Sequence, residues 1–242
     1  MGARGFFRWY GGARGGTVVP MTSLHTLRVF LGPDGEGGNP LGVFLDGGAI
    51  APADRQAVAA ELGFSETVFV DDRTTGELRI FTPTVELPLA GHPLVGTSWL
   101  LGVDMLRPPA GDVPTWTDGE LTWIRARPEW ATLYDLARLP SPADVDAFAI
   151  PGGDAMVGVW AWEDEAAGRL RARIFPNGIG IDEDEATGAA AIQFGALLGR
   201  DVIIRQGEGS ELHSRPGADG TVAVGGRVAL VSERSYTAAA VA

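Results

Sequence analysis

Three side chains in this sequence stand where a proton could be moved: Glu66, His92 and Asp184. Glu66 lies in FSETVFV, after a helix stop at Gly63 and before an apolar strand. A carboxyl at such an entrance loses solvent, and desolvation raises its pKa toward the range useful for proton transfer. His92 follows Gly91 at the predicted start of a helix, where the local positive field favours a neutral ring. Asp184 is predicted to open a second helix, where a carboxylate satisfies free N–H groups. Each residue also has a plainer reading, as a solvated glutamate, a capping histidine and a capping aspartate.

Composition narrows the chemistry further. The chain has no cysteine, and all 19 basic residues are arginine. Thiolate nucleophiles and disulfides are excluded, as are a lysine Schiff base and a P-loop lysine. The histidines His25, His92 and His213 are far apart, without the spacing of a zinc site. We therefore expect no metal and no cofactor. A formal charge of −12 opposes binding to nucleic acid or to an anionic membrane. The expected ligand is a small anionic metabolite and the expected location cytoplasmic. Strand-rich lobes with seven tryptophans could pair at their edges, so a homodimer is expected.

The elements that must position these residues follow from periodicity. Residues 1–20 are rich in Gly and Arg and read as a flexible extension. A strand from Leu24, a turn through GPDGEGGNP and a strand LGVFLDG come next. Ala51 to Gly63 is predicted helical, then SETVFVDD and GELRIFTP as strands, then AGHPLVGTSWLLG as a helix. Asp104–Pro114, rich in Pro and Gly, reads as a linker. Strands ELTWIRARP, AMVGVWAWED and RLRARIFPN lead to a helix AAAIQFGALLG, and strands DVIIRQG, ELHSRP and TVAVGGRVALVSE close the chain. An Arg-Ile-Phe strand followed by a helix opening on small residues occurs twice, which suggests internal duplication. The expected organisation is an N-terminal lobe over 21–112 and a C-terminal lobe over 113–242, with the last strands able to cross back. If both helices start at one crevice, their N–H groups, flanked by Gly91, Ala186, Thr187 and Gly188, can hold an anion without a charged side chain.

GNPLGVF (Gly38–Phe44), SETVFV (Ser65–Val70), RIFTPTVELPLAGHPLVGT (Arg79–Thr97) and IFPNGIGIDEDEATGAAA (Ile174–Ala191) occur in that order. With IIRQG and VAVGGRVALV they resemble the PhzF-like (phenazine biosynthesis) family, whose fold is similar to diaminopimelate epimerase. The resemblance implies an α+β protein of two pseudo-symmetric lobes, each a mixed sheet wrapped around a central helix. It implies a cofactor-independent isomerase with Glu66 as the acid/base. His92 and Asp184 would then be substrate-positioning or proton-sharing groups, with Asn39 on a turn facing the cleft. Ala189 stands where the family usually has Ser, which removes one anion ligand. Glu185 stands where Pro is usual and would place a negative charge beside the anion site. A catalytically silent anion-binding module and a racemase pairing Glu66 with Asp184 are the alternative readings.

Overall fold

The structure, a computed structural model, describes residues 21–237; the Gly/Arg-rich segment 1–20 lies outside the described residues. In chain order the first strands are β1 (Met21–Leu31), β2 (Gly37–Phe44), β3 (Glu66–Asp72), β4 (Glu77–Phe81) and β5 (Glu86–Leu87). Between β2 and β3 runs helix α1 (Arg55–Leu62), entered through a single turn at Pro52–Asp54 and ended by Gly63 in the left-handed conformation. Helix α2 (Gly91–Leu101) follows β5 and ends at Gly102 in the same way.

The expected linker is instead structured. Met105–Leu106 (β6) pairs with the start of Val113–Asp118 (β7), so the Pro/Gly-rich stretch is the turn of a small hairpin. Leu121–Ala126 (β8) follows, then Asp135–Arg138 (β9) and the short helix α3 (Pro142–Asp146). Strands β7 and β9 and helix α3 were not legible, because each holds six residues or fewer and carries little period of its own. Next come β10 (Met156–Asp164), β11 (Arg169–Pro176), helix α4 (Gly188–Leu198), β12 (Val202–Gln206), β13 (Ser210–Pro216) and β14 (Val222–Thr237). Both Arg-Ile-Phe segments are strands, on β4 and β11, and each precedes one of the two buried helices.

β14 joins the two halves. Its first residues, Val222 to Gly226, pair with β8 and β13, while Arg227 to Thr237 pair with β1. The strands run β5-β4-β3-β2-β1-β14-β13-β12-β11-β10-β9, with β8, β7 and β6 branching from β14. The switch falls at Gly225 and Gly226, where a side chain would strike Trp123 and Phe30 respectively. Phe30, fully buried, adopts φ 71° at a bulge in β1 opposite this point.

α2 and α4 are mainly apolar, with no wholly polar face, so neither can remain in water, and each is packed against strands. One apolar cluster, including Leu27, Leu41, Leu94, Val95, Phe194 and Leu212, runs through both halves. The helices meet at their first residues. A Cβ on Gly91 would lie 2.5 Å from Gly188 Cα, and one on Gly188 would lie 2.5 Å from Gly91 Cα. Among the described residues no helix is long and apolar enough to cross a membrane.

Candidate active site

The contact between helix starts puts small residues at the bottom of a narrow cleft. Glu66, Gly91, His92, Asp184, Thr187, Gly188 and Ala189 all line it. Neither helix has a side-chain cap, so the field of both N-termini is directed at the same space. Leu87, Leu89, Pro176, Ile179 and Ile181 form apolar walls, and among the described residues no arginine lines it.

Glu66 is the first residue of β3 and is 8% exposed. Burial and the neighbouring Asp184 charge push its carboxyl up to about 8, against a smaller opposing hydrogen bond from Ser65. Its Oε2 lies 3.3 Å from His92 Nε2, and among the described residues neither atom has another partner. Burial pushes His92 down to about 3, so the ring is neutral at any working pH. Desolvation holds it neutral. At pH 7 this contact is therefore between a carboxylic acid and an imidazole, and neither group carries charge.

Asp184 lies four residues before α4 and does not cap it, contrary to the sequence-based expectation. Thr187 is the N-cap residue, and its N–H is taken by Gln206 Oε1 at 3.2 Å. Asp184 Oδ1 accepts from Asn39 Nδ2 at 2.7 Å, and Oδ2 accepts from the Thr187 hydroxyl at 2.6 Å. Burial raises its pKa, while Thr187, Asn39 and the Glu185 N–H each favour the charged form. Three donors make Asp184 the carboxylate of the pair and leave the proton on Glu66.

Asn39 is not on a turn. It sits within β2, opposite Val29 of β1, because the strand begins at Gly37 and runs through the Gly-Asn-Pro segment. From there its side chain bridges the halves, donating to Asp184 and to the Ala186 carbonyl, while Ser65 donates to its Oδ1. Ala186 is thus a buried backbone anchor and does not line the cleft. Asn39→Ala should cost about 2 kcal/mol, since it leaves a buried carboxylate oxygen without its donor. Urea unfolding at pH 7 measures it.

Glu185 does not sit beside the anion site, as its sequence position had suggested. Its carboxylate turns to the β12–β13 connection, accepting from Glu208 N at 3.0 Å and Ser210 Oγ at 2.6 Å. Gly207, at φ 56°, leaves room there that a Cβ would fill. Ser210 in turn accepts from Gly38 N at 2.8 Å, so Glu185 ties the segment after Asp184 to the strand that carries Asn39.

Two residues given no role in the sequence analysis complete the site, although Gln206 lies in the IIRQG motif. Gln206, 1% exposed, donates to the Asp184 carbonyl and to Thr187 Oγ1, each at 2.8 Å. Tyr134, on the loop before β9, lines the cleft. Its N–H donates to Gln193 Oε1 at 3.0 Å and its carbonyl accepts from Gln193 Nε2 at 2.7 Å, which fixes the loop to α4. Burial and the charges of Asp184 and Glu66 push the phenol's pKa up, so it remains protonated.

With this geometry in place, residues 33–115 match the family model for phenazine biosynthesis-like proteins. Over that stretch the chain is similar to the PhzF-like family. A 68-residue stretch is 50% identical to trans-2,3-dihydro-3-hydroxyanthranilate isomerase of Pseudomonas fluorescens, covering 27% of this chain and 24% of that protein. An uncharacterized isomerase of Mesorhizobium japonicum is 38% identical over 117 residues, 46% of this chain and 39% of the relative. These matches thus span about a quarter to two-fifths of the relatives' length. Solved structures align more widely. A PhzF-family protein of Enterococcus faecalis gives a TM-score of 0.72 at 20% identity, over 90% of this chain and 100% of its own. A predicted epimerase of Pseudomonas aeruginosa gives 0.69 at 25% identity over the same shares. A hydroxyproline epimerase of Agrobacterium vitis shares the fold, with a TM-score of 0.58 at 12% identity over 90% of this chain and 93% of its own. The α+β architecture is that of the PhzF-like and epimerase proteins.

Proposed function

We propose that this PhzF-like chain is a cofactor-independent isomerase that moves a proton on a small carboxylate-bearing metabolite, with Glu66 as acid and base. The observation that carries this reading is a buried carboxyl raised to about 8, beside a neutral His92, in a cleft where two helices begin. In its ionised form Glu66 removes a proton from a carbon next to an activating group. It then returns that proton to another carbon on the same face, while His92 and the helix N-termini stabilise the enol-like charge that develops. Asp184, engaged by Asn39 and Thr187, positions substrate and biases the proton toward Glu66. Its tethered oxygens make it a poor second base, which favours a proton shift over racemisation. We further propose that the protein is a cytoplasmic homodimer. Light scattering should give twice the 25.4 kDa chain mass, and a single peak at the monomer mass would exclude the dimer.

The test uses trans-2,3-dihydro-3-hydroxyanthranilate, the compound in the relatives' name, incubated with the protein in D₂O. Turnover with deuterium in the product supports the reading. Stable binding without exchange, equal in wild type and Glu66→Gln, favours the silent binding module.

A further inference from the structure

A cleft meant for an anion usually offers a cation or a hydroxyl as well as backbone, and here the lining among the described residues includes no arginine. Thr187 has already given its proton to Asp184. Tyr134 has not been used in this way. It is 6% exposed and lines the cleft with Gly188 and Ala189, and its main chain is held on both sides by one glutamine of α4. Among the described residues its hydroxyl takes no hydrogen bond, although Asp184 and Glu66 are close enough to act on it. Its oxygen is not sealed in the core, so in the cleft it is open to a hydrogen bond from a ligand.

We infer that Tyr134 is a substrate-binding residue whose hydroxyl donates a hydrogen bond to the ligand's carboxylate, with Gln193 as the residue that positions it. Asp184 and Glu66 act on the phenol through their charge and make no hydrogen bond to it among the described residues. Among the described residues the side-chain donors to Asp184 are Asn39 and Thr187, and neither carboxyl accepts from the phenol. A neutral donor is suited to this place, because it adds to the helix N-termini without pairing with Asp184 or drawing the proton from Glu66. The two-point clamp from Gln193 fixes the loop before any ligand arrives, so little ordering is left for binding. Position 189, an alanine, offers no hydroxyl of its own.

This inference rests on the carboxylate reading of the cleft, and the experiment separates the two. Calorimetry compares anthranilate with its uncharged amide, anthranilamide, on wild type, Tyr134→Phe and Gln193→Leu, with near-ultraviolet circular dichroism as the check of packing. Tyr134→Phe should weaken anthranilate about tenfold and anthranilamide less than twofold, the difference expected for a hydrogen bond to a charged acceptor. Gln193→Leu should shift the same ratio in the same direction, which a merely structural role would leave alone. Wild type binding anthranilate with an unchanged constant in Tyr134→Phe overturns the assignment alone, as does equal loss for acid and amide. Failure of wild type to bind anthranilate overturns the carboxylate reading and this assignment together.

Discussion

Replacing Glu66 by glutamine should lower the isomerisation rate about 10³-fold, within the range a positioned general acid/base contributes. The amide keeps the volume of the carboxyl and its place beside His92, but it can neither take nor return a proton. The pH dependence should carry the same signature. Only the ionised form can begin the reaction, and the free protein's carboxyl titrates at about 8. The wild-type kcat/KM should therefore rise nearly tenfold per pH unit below 7 and level off above about 8. A profile that is flat between pH 5 and 9 would remove Glu66 from the rate equation.

Stability should move the opposite way. The Glu66 carboxyl binds its proton more tightly in the folded chain than its ordinary value of 4.5 allows. Its contribution is complete below pH 4.5 and is lost as pH rises through about 8. Glu66→Gln never ionises, so at pH 9 it should be more stable than wild type by on the order of 3 kcal/mol. Chemical unfolding of both proteins at pH 5 and pH 9 measures this difference. A mutation that inactivates and yet stabilises is the expected mark of a carboxyl kept in an unfavourable setting for chemistry.

The second large effect concerns the helix contact. Gly188→Ala should destabilise the protein by about 3 kcal/mol or more, near the upper end of overpacking costs. The added carbon would lie 2.5 Å from Gly91 Cα and 2.9 Å from His92 N, both backbone atoms of a buried helix. Such atoms move only if the helix moves, and with it His92 and one wall of the cleft. Gly96 provides the control. A Cβ there meets the ends of Leu41 and Val29, at 2.6 and 2.8 Å, and those side chains can turn aside. Gly96→Ala should therefore cost roughly 1 kcal/mol. Equal midpoints for the two variants in guanidinium unfolding would refute this account of the contact.

How far the sequence reaches can be judged from particular residues. The two buried helices were legible because Gly91–Leu101 and Gly188–Leu198 are apolar runs ended by a glycine. The carboxyl at position 66 was legible as partly desolvated, because it stands between a helix stop and an apolar strand. Asn39 was misplaced on a turn, since Gly and Pro around it signal a break, yet strand pairing with β1 overrides that signal. The segment 104–114 was misread for the same reason. Its hairpin continues into β8, and β8 is held by β14, a partner about a hundred residues away that only the folded chain brings near.

What the amino-acid order determined by itself is the available chemistry: arginine as the basic residue throughout, no thiol, and one carboxyl and one histidine beside predicted element starts. Those are properties of residue type and short-range period, which need no partner to be read. The tertiary structure alone decided that two helix starts 97 residues apart, Gly91 and Gly188, touch. It also decided that Asn39 crosses to Asp184, that Glu185 turns away, and that Tyr134 enters the cleft. Each of these depends on long-range packing around β14, where the free energy of one side chain is set by neighbours distant in the chain.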